Sequence, residues 1–142
     1  MPRDQIFFVG QKALIEKDGR VLVLFRKPYG ADLPGGKVQE GELDFNLSLQ
    51  REVKEETGLS IAVGEPFATE YFKFPETLRK ERNLECAYIY LVMYQVTNVT
   101  GEISLSDEHE SYTWVSQDDY QELDDRSGVI KKVLQKYFAQ KK

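Results

Sequence analysis

The stretch from Gly35 to Leu59, GGKVQEGELDFNLSLQREVKEETGL, leaves little freedom in what it can fold into. Pro34-Gly35-Gly36 reads as a tight turn in which the backbone can approach a ligand closely. Asp44 is a natural N-cap, able to accept from the free amides of a first helical turn. Phe45, Leu49 and Val53 then recur every four residues, a stripe suited to a core. Gly58 stands where a left-handed residue commonly ends a helix. The spacing therefore predicts a loop–helix–loop over 35–59. On that helix Glu52, Glu55 and Glu56 share one face, and like charges at such spacings destabilise an isolated helix by roughly 0.2–0.5 kcal/mol per pair. Hard divalent cations such as Mg²⁺ take carboxylate oxygens and commonly sit between protein carboxylates and substrate phosphates, so the cluster suggests phosphate chemistry. For a bare E-x-x-E-E, a solvated acidic face would be the better reading.

The surroundings favour the chemical reading. The segment resembles the Nudix box, in which Gly, five residues, Glu and seven residues precede Arg-Glu, an aliphatic, any residue, Glu-Glu, any residue, Gly and an aliphatic. Gly36 and Glu42 have that spacing, and Arg51-Glu52-Val53-Lys54-Glu55-Glu56-Thr57-Gly58-Leu59 fits the second half throughout. Seven specified residues at typical frequencies of about one in fifteen arise at a given start roughly once in 10⁸. One departure stands out: eight residues, not seven, separate Glu42 from Arg51. Asp44 lies seven residues before Arg51, where the family usually starts its helix, so the extra residue is Leu43, in the preceding loop. The Glu52/Glu55/Glu56 register is then untouched, and only Glu42 is open to displacement.

The resemblance implies an α/β/α sandwich with a mixed β-sheet. It implies a metal shell of Mg²⁺ or Mn²⁺ held by the Gly36 carbonyl, Glu52, Glu55 and Glu56, and an Arg51 that orients catalytic glutamates. Relatives draw the general base from the box or from a later loop, so Glu52 and Glu108 share that candidacy. Glu108 precedes Trp114 by six residues, a placement where similar proteins often carry a further metal-binding or catalytic glutamate. Glu110 is its nearest competitor. His109, the single histidine, reads as a solvated loop residue. Arg26, Lys27 and Tyr29, at a strand end and in the following loop, are candidates for phosphate and base contacts. So are Lys73, Arg79, Lys80 and Arg82 in or beside a charged segment, with Tyr71, Phe72 and Phe74 as stacking candidates. Pro75, sixteen residues after Leu59, lies near a proline of ADP-ribose-hydrolysing relatives.

At 142 residues the chain reads as one domain, 1–142, large enough for a core. A net charge of −5 argues against broad nucleic-acid binding but not against a phosphorylated small molecule, because metals would screen the acidic site. No apolar run approaches a membrane span, and MPRDQIFF lacks a signal-peptide core. Cys86 is the only cysteine, reads as a core thiol, and makes a reducing cytoplasm the natural setting.

Strand candidates are Gln5–Val9, Ala13–Glu16 and Val21–Phe25 about the Asp18-Gly19 turn, then Leu59–Val63, Thr69–Phe74, a central Cys86–Val96 and Tyr112–Val115. Lys27–Asp32 reads as loop, Asn98–Glu102 as turn, and Gln117–Leu123 as a short helix. Ser127–Ala139 reads as an amphipathic helix. Trp114 is expected to pack the sheet against the following helix.

The expected activity is water attack on phosphorus in a nucleoside diphosphate linked to another moiety: a nucleoside triphosphate, ADP-ribose, a dinucleoside polyphosphate or similar. Two rivals share the fold: an isoprenoid-diphosphate isomerase, which relies on a further pocket cysteine, and a catalytically silent nucleotide sensor, which usually loses the box glutamates. Many relatives are homodimers, although nothing in this chain marks an interface.

Overall fold

A computed structural model describes residues 2–141. Alternation along two adjacent strands creates two separate cores. In β1 (Phe8–Leu14) and β3 (Arg20–Arg26), and in Ile15 between them, successive residues point to opposite faces. Ala13, Ile15, Leu22 and Leu24 join Leu49 and Val53 of α1 (Phe45–Thr57) on one side. Leu14, Val21 and Val23 lie on the other, with Val129, Ile130, Val133, Leu134, Tyr137 and Phe138 of α3 (Val129–Gln140). The helices therefore flank the sheets, as an α/β/α sandwich requires.

Two sheets make up the middle layer. The first, mixed, has the order β5 (Gly35–Lys37), β1, β7 (Tyr88–Thr100), β6 (Ser60–Lys73). In it β1 runs parallel to β7, and the outer pairs are antiparallel. The second is antiparallel, with β3 pairing β2 (Glu16–Lys17), β4 (Gly30–Asp32) and β8 (Ser111–Val115). Asp18 and Gly19, both at positive φ, form the turn between β2 and β3. Among the described residues, no helix is long and apolar enough to cross a membrane.

The box helix starts and stops as its sequence predicts. The Asp44 carboxylate accepts from the Leu47 amide at 3.1 Å, and Gly58, at φ 79°, closes the helix with its amide on the Lys54 carbonyl. Leu43 is 88% exposed in the loop before the cap, so the inserted residue leaves the helix register alone. Phe45 departs from the expected stripe: it is 42% exposed, and its carbonyl, not its ring, is engaged inward by the Gln11 side chain.

Several elements differ from their sequence boundaries. Gln5–Val9 and Ala13–Glu16 are not two pieces; the strand is Phe8–Leu14, continuous through Gly10, Gln11 and Lys12. Gly10 fits because Ile89 and Leu91 occupy the space a Cβ would need, and Gln11 and Lys12 find partners in the Phe45 carbonyl and the Asp32 carboxylate. Gly30–Asp32 pairs with β3 instead of looping. Leu59–Val63 and Thr69–Phe74 merge into the single strand β6, bent by register shifts between Ser60 and Ala68. The charged segment after Pro75 forms the short helix α2 (Glu76–Glu81). The central strand runs later than expected, to Thr100, with Asn98 at positive φ in a register shift, and leaves Cys86 half-buried outside it. Gln117–Leu123 is reduced to one 3₁₀ turn at Tyr120–Glu122.

Asp44→Ala should cost about 1 kcal/mol through loss of the cap, lowering Tm by about 3–4 °C. Leu43→Ser should stay within about 0.5 kcal/mol. Calorimetry on both checks this, and a larger cost at Leu43 than at Asp44 would contradict the placement of the insertion outside the helix.

Candidate active site

One carboxylate of the box is buried. Glu56, in the last turn of α1, is 5% exposed, and its Oε1 accepts from the Gly35 amide at 2.7 Å, which ties β5 to the helix. Burial pushes its pKa up, to about 7; Lys12 and the Gly35 amide oppose that rise, while the nearby charge of Asp32 adds to it. Behind it runs a string of alternating groups. His109 Nδ1 lies 3.6 Å from Glu56 Oε2, His109 Nε2 lies 3.2 Å from Asp32 Oδ2, and Lys12 Nζ lies 3.0 Å from Asp32 Oδ1. Burial alone would push the Asp32 carboxyl up, but the Lys12 charge and hydrogen bonds from His109 and Lys12 hold it well below the usual range. Burial likewise works against the Lys12 ammonium, and Asp32 and Glu56 outweigh it, raising its pKa.

The other carboxylates are organised by Arg51. Its guanidinium donates to Glu55 at 3.0 and 3.1 Å, to Glu52 at 3.0 Å and to both oxygens of Glu42, the shortest at 2.9 Å. Hydrogen bonds to Glu55 and Glu42 lead in raising the pKa of Arg51. Glu42 in turn accepts from the Gln39 amide at 2.9 Å, and that bond, followed by Arg51, holds its carboxyl below the ordinary value. The longer loop therefore keeps Glu42 within the arginine's reach.

Glu52, Glu56, Gly35, Gly36 and Glu108 line one cleft of about 350 Å³, together with Lys12, Arg26, Lys37, Phe74 and Arg82. A smaller apolar cavity of about 180 Å³ adjoins it, bounded by Tyr29, Phe72, Phe74, Leu78 and Ile130, with Arg26 and Arg82 common to both. The Arg82 guanidinium stacks 5.6 Å from the Tyr29 ring centroid at the edge of this cavity. Glu55 stays at the rim, exposed and held by Arg51.

Other candidates lie elsewhere. Arg79 turns toward the Glu85 carbonyl at 3.5 Å and lines neither cavity, so Arg82, the C-cap of α2, is the cation of this segment that reaches the cleft. Lys27 pairs with Glu110, which separates Glu110 from Glu108 and the box. Tyr71 is exposed on β6, with Phe72 and Phe74 turned inward. Trp114 packs on the core beneath α1 rather than against a following helix. The Cys86 thiol donates to the Tyr88 carbonyl at 3.3 Å and lines neither cavity.

His109 overturns its expectation as a solvated residue: its side chain is fully buried. Lys12 and Asp32 are site residues that the motif did not indicate. The available signal was the polar pair Gln11-Lys12 inside an otherwise apolar strand, which requires buried partners.

The raised pKa of Glu56 gives metal-free protein a pH dependence of known sign. Between about 4.5 and 7 the folded state binds more protons than the unfolded state, so stability falls as pH rises through that window. The loss is of order 3 kcal/mol at about 1.4 kcal/mol per pKa unit. The Asp32 contribution is already complete above its ordinary pKa and adds no slope there. Denaturant titrations in EDTA at pH 5, 6, 7 and 8 should show the decline, and Glu56→Gln should flatten it. An unchanged slope in the variant would contradict the assignment.

A NUDIX domain match spans residues 12–137, from β1 into α3. No curated protein sequence matches the chain significantly. Among solved structures, the chain is similar to the crystal structure of the MutT protein from Methanosarcina mazei Go1, with TM-score 0.78 and 24% identity over 99% of each chain. It is also similar to the solution structure of the E. coli ORF135 protein, with TM-score 0.66 and 25% identity over 84% of this chain and 80% of that one. The E. coli dihydroneopterin triphosphate pyrophosphohydrolase gives TM-score 0.58 and 22% identity, over 79% and 84%. The structural likenesses establish the fold, and the domain match covers α1, most of α3 and every residue that lines the cleft. The chain therefore belongs to the NUDIX domain family and is a hydrolase acting on pyrophosphate bonds.

Proposed function

We propose that this hydrolase depends on Mg²⁺ or Mn²⁺ and cleaves a nucleoside diphosphate linked to another moiety, with residues 1–142 acting as one catalytic domain. The observation that carries this reading is the convergence of Glu52 and Glu56 from α1 with Glu108 from the loop before β8 on one cleft edged by Arg26, Lys37 and Arg82. The donor set suits a divalent cation. Ligand atoms of Glu56, Glu108 and His109 all lie within 4.8 Å of one another, and a Cβ on Gly36 would come within 2.8 Å of the Glu52 carboxylate. Glycine at 36 thus leaves the backbone and that carboxylate side by side.

In this reading Glu52, Glu56 and the Gly36 carbonyl hold the cation, with Glu55 outermost. When bound, the cation neutralises charge developing on phosphate oxygens and lowers the pKa of water. Arg51 fixes Glu52 and Glu55 through forked hydrogen bonds, so their oxygens need little reorganisation. Glu52 and Glu108 are the candidates to accept the proton as water attacks phosphorus. A phosphorus–oxygen bond forms, the anhydride bond breaks, and the leaving phosphate departs with the bridging oxygen. Arg26, Lys37 and Arg82 balance the phosphate charge; Tyr29, Phe72 and Phe74 offer faces to a base in the adjoining cavity. The cation role first expected of Arg79 passes to Arg82. Hydrolysis of dihydroneopterin triphosphate by a protein of similar fold fits a phosphate chain carrying a flat heterocycle.

Glu56→Gln keeps the shape and the acceptor for the Gly35 amide but removes a cation-binding charge. It should lower kcat more than about a hundredfold, equivalent to a few kcal/mol, without lowering Tm. Turnover within about threefold of wild type at saturating Mg²⁺, measured by phosphate and pyrophosphate release, would overturn the assignment.

A further inference from the structure

We propose that His109, through Nδ1, supplies a nitrogen ligand to the divalent cation shared with Glu56 and Glu108, with Asp32 as the carboxylate that orients it. This rests on the cation-dependent reading of the cleft and adds to it a donor of a different chemical type.

The hydrogen bonding around the ring carries the inference. Asp32 is engaged by Lys12 Nζ at 3.0 Å and by the Leu33 amide at 2.8 Å, both on Oδ1. Its Oδ2 remains to accept, and it faces His109 Nε2 at 3.2 Å. The Nε2 position therefore carries the ring proton, and in neutral imidazole Nδ1 is left with a lone pair. That Nδ1 is buried without any hydrogen-bond partner. It faces Glu56 Oε2, an acceptor when that carboxyl is ionised, at 3.6 Å. Two lone pairs that face one another in a buried place repel unless a positive centre is shared between them, a proton in the metal-free protein or a cation in its place.

The spacing suits a metal. Imidazole nitrogen and carboxylate oxygen both bind first-row cations at about 2.0–2.2 Å, so two ligands of one ion stand at most about 4.4 Å apart. The observed 3.6 Å lies inside that limit, and Glu108, exposed on the loop, is free to swing its oxygen in. The loop is also fixed to the box helix: the Ser106 amide donates to the Glu56 carbonyl at 3.1 Å, and the His109 amide donates to the Ser106 carbonyl at 3.3 Å. Ligating histidines commonly donate their second N–H to a carboxylate, which sets the tautomer and the ring orientation. Asp32 stands in that position. A nitrogen donor shifts preference away from Mg²⁺, which favours all-oxygen shells, toward later first-row cations such as Co²⁺ and Ni²⁺.

His109 is the only histidine in the chain, so an imidazole signal has one source. Untagged protein loaded with Mn²⁺ should show imidazole ¹⁴N coupling in pulsed EPR, absent in His109→Gln. By titration calorimetry, His109→Gln should bind Co²⁺ and Ni²⁺ at least tenfold more weakly, with a smaller change for Mg²⁺. Asp32→Asn, which keeps the histidine, should weaken Co²⁺ in the same direction. If His109→Gln fails to fold, the wild-type spectrum decides alone. Bound Mn²⁺ without nitrogen coupling overturns the proposal and leaves an oxygen-ligated hydrolase standing. No binding of either Mn²⁺ or Mg²⁺ by the wild type overturns both.

Discussion

The Glu56 carboxylate is held below the surface by the Gly35 amide on one side and the Lys12–Asp32–His109 string on the other. Placing an acid there is unfavourable by itself, since burial raises its pKa. The surrounding architecture serves that placement. Gly35 must bring its amide against the helix from a strand whose backbone lies almost on Gln11 and Lys12, at φ 143° and with no room for a Cβ. Lys12 has to occupy a central strand, and β8 needs its preceding loop folded inward to bury His109. A fold stabilised only by its two apolar cores would have no use for these features.

Arg51 is the counterpart at the surface. Three carboxylates that would repel one another on and beside a helix converge on one guanidinium. The planar fork suits that task better than a lysine ammonium, because it offers five donors in fixed directions. It also explains how the extra residue at Leu43 is tolerated. Glu42 keeps its bonds to Arg51 and to the Gln39 amide, and the surplus chain bulges into solvent.

What could be read from the sequence follows from how far each determinant reaches. The cap at Asp44, the stop at Gly58 and the apolar faces of α1 and α3 depend on neighbours within a turn or two, and apart from Phe45 they stand where the pattern puts them. The glutamates of the box and their arginine are local in the same sense. Lys12, Asp32 and His109 are meaningful only together, yet 20 and 77 residues separate them along the chain, and no periodicity links them. His109 looked solvated because charged residues flank it; its neighbours face outward while its own side chain turns in. The bends of β6 and the length of β7 escaped for a related reason: pairing across the sheet, not local propensity, determines where those strands end.

The central claim is that the buried and forked carboxylates form a cation-dependent centre at which water attacks phosphorus. The most direct measurement is turnover of a panel of nucleoside triphosphates, ADP-ribose, dinucleoside polyphosphates and nucleotide sugars in H₂¹⁸O, with Mg²⁺, with Mn²⁺ and with EDTA. The account predicts turnover of at least one compound that EDTA abolishes and Mg²⁺ restores, with one ¹⁸O incorporated into a phosphate of the products. Turnover that persists in EDTA, label outside the phosphates, or no turnover of any member with either cation would contradict it.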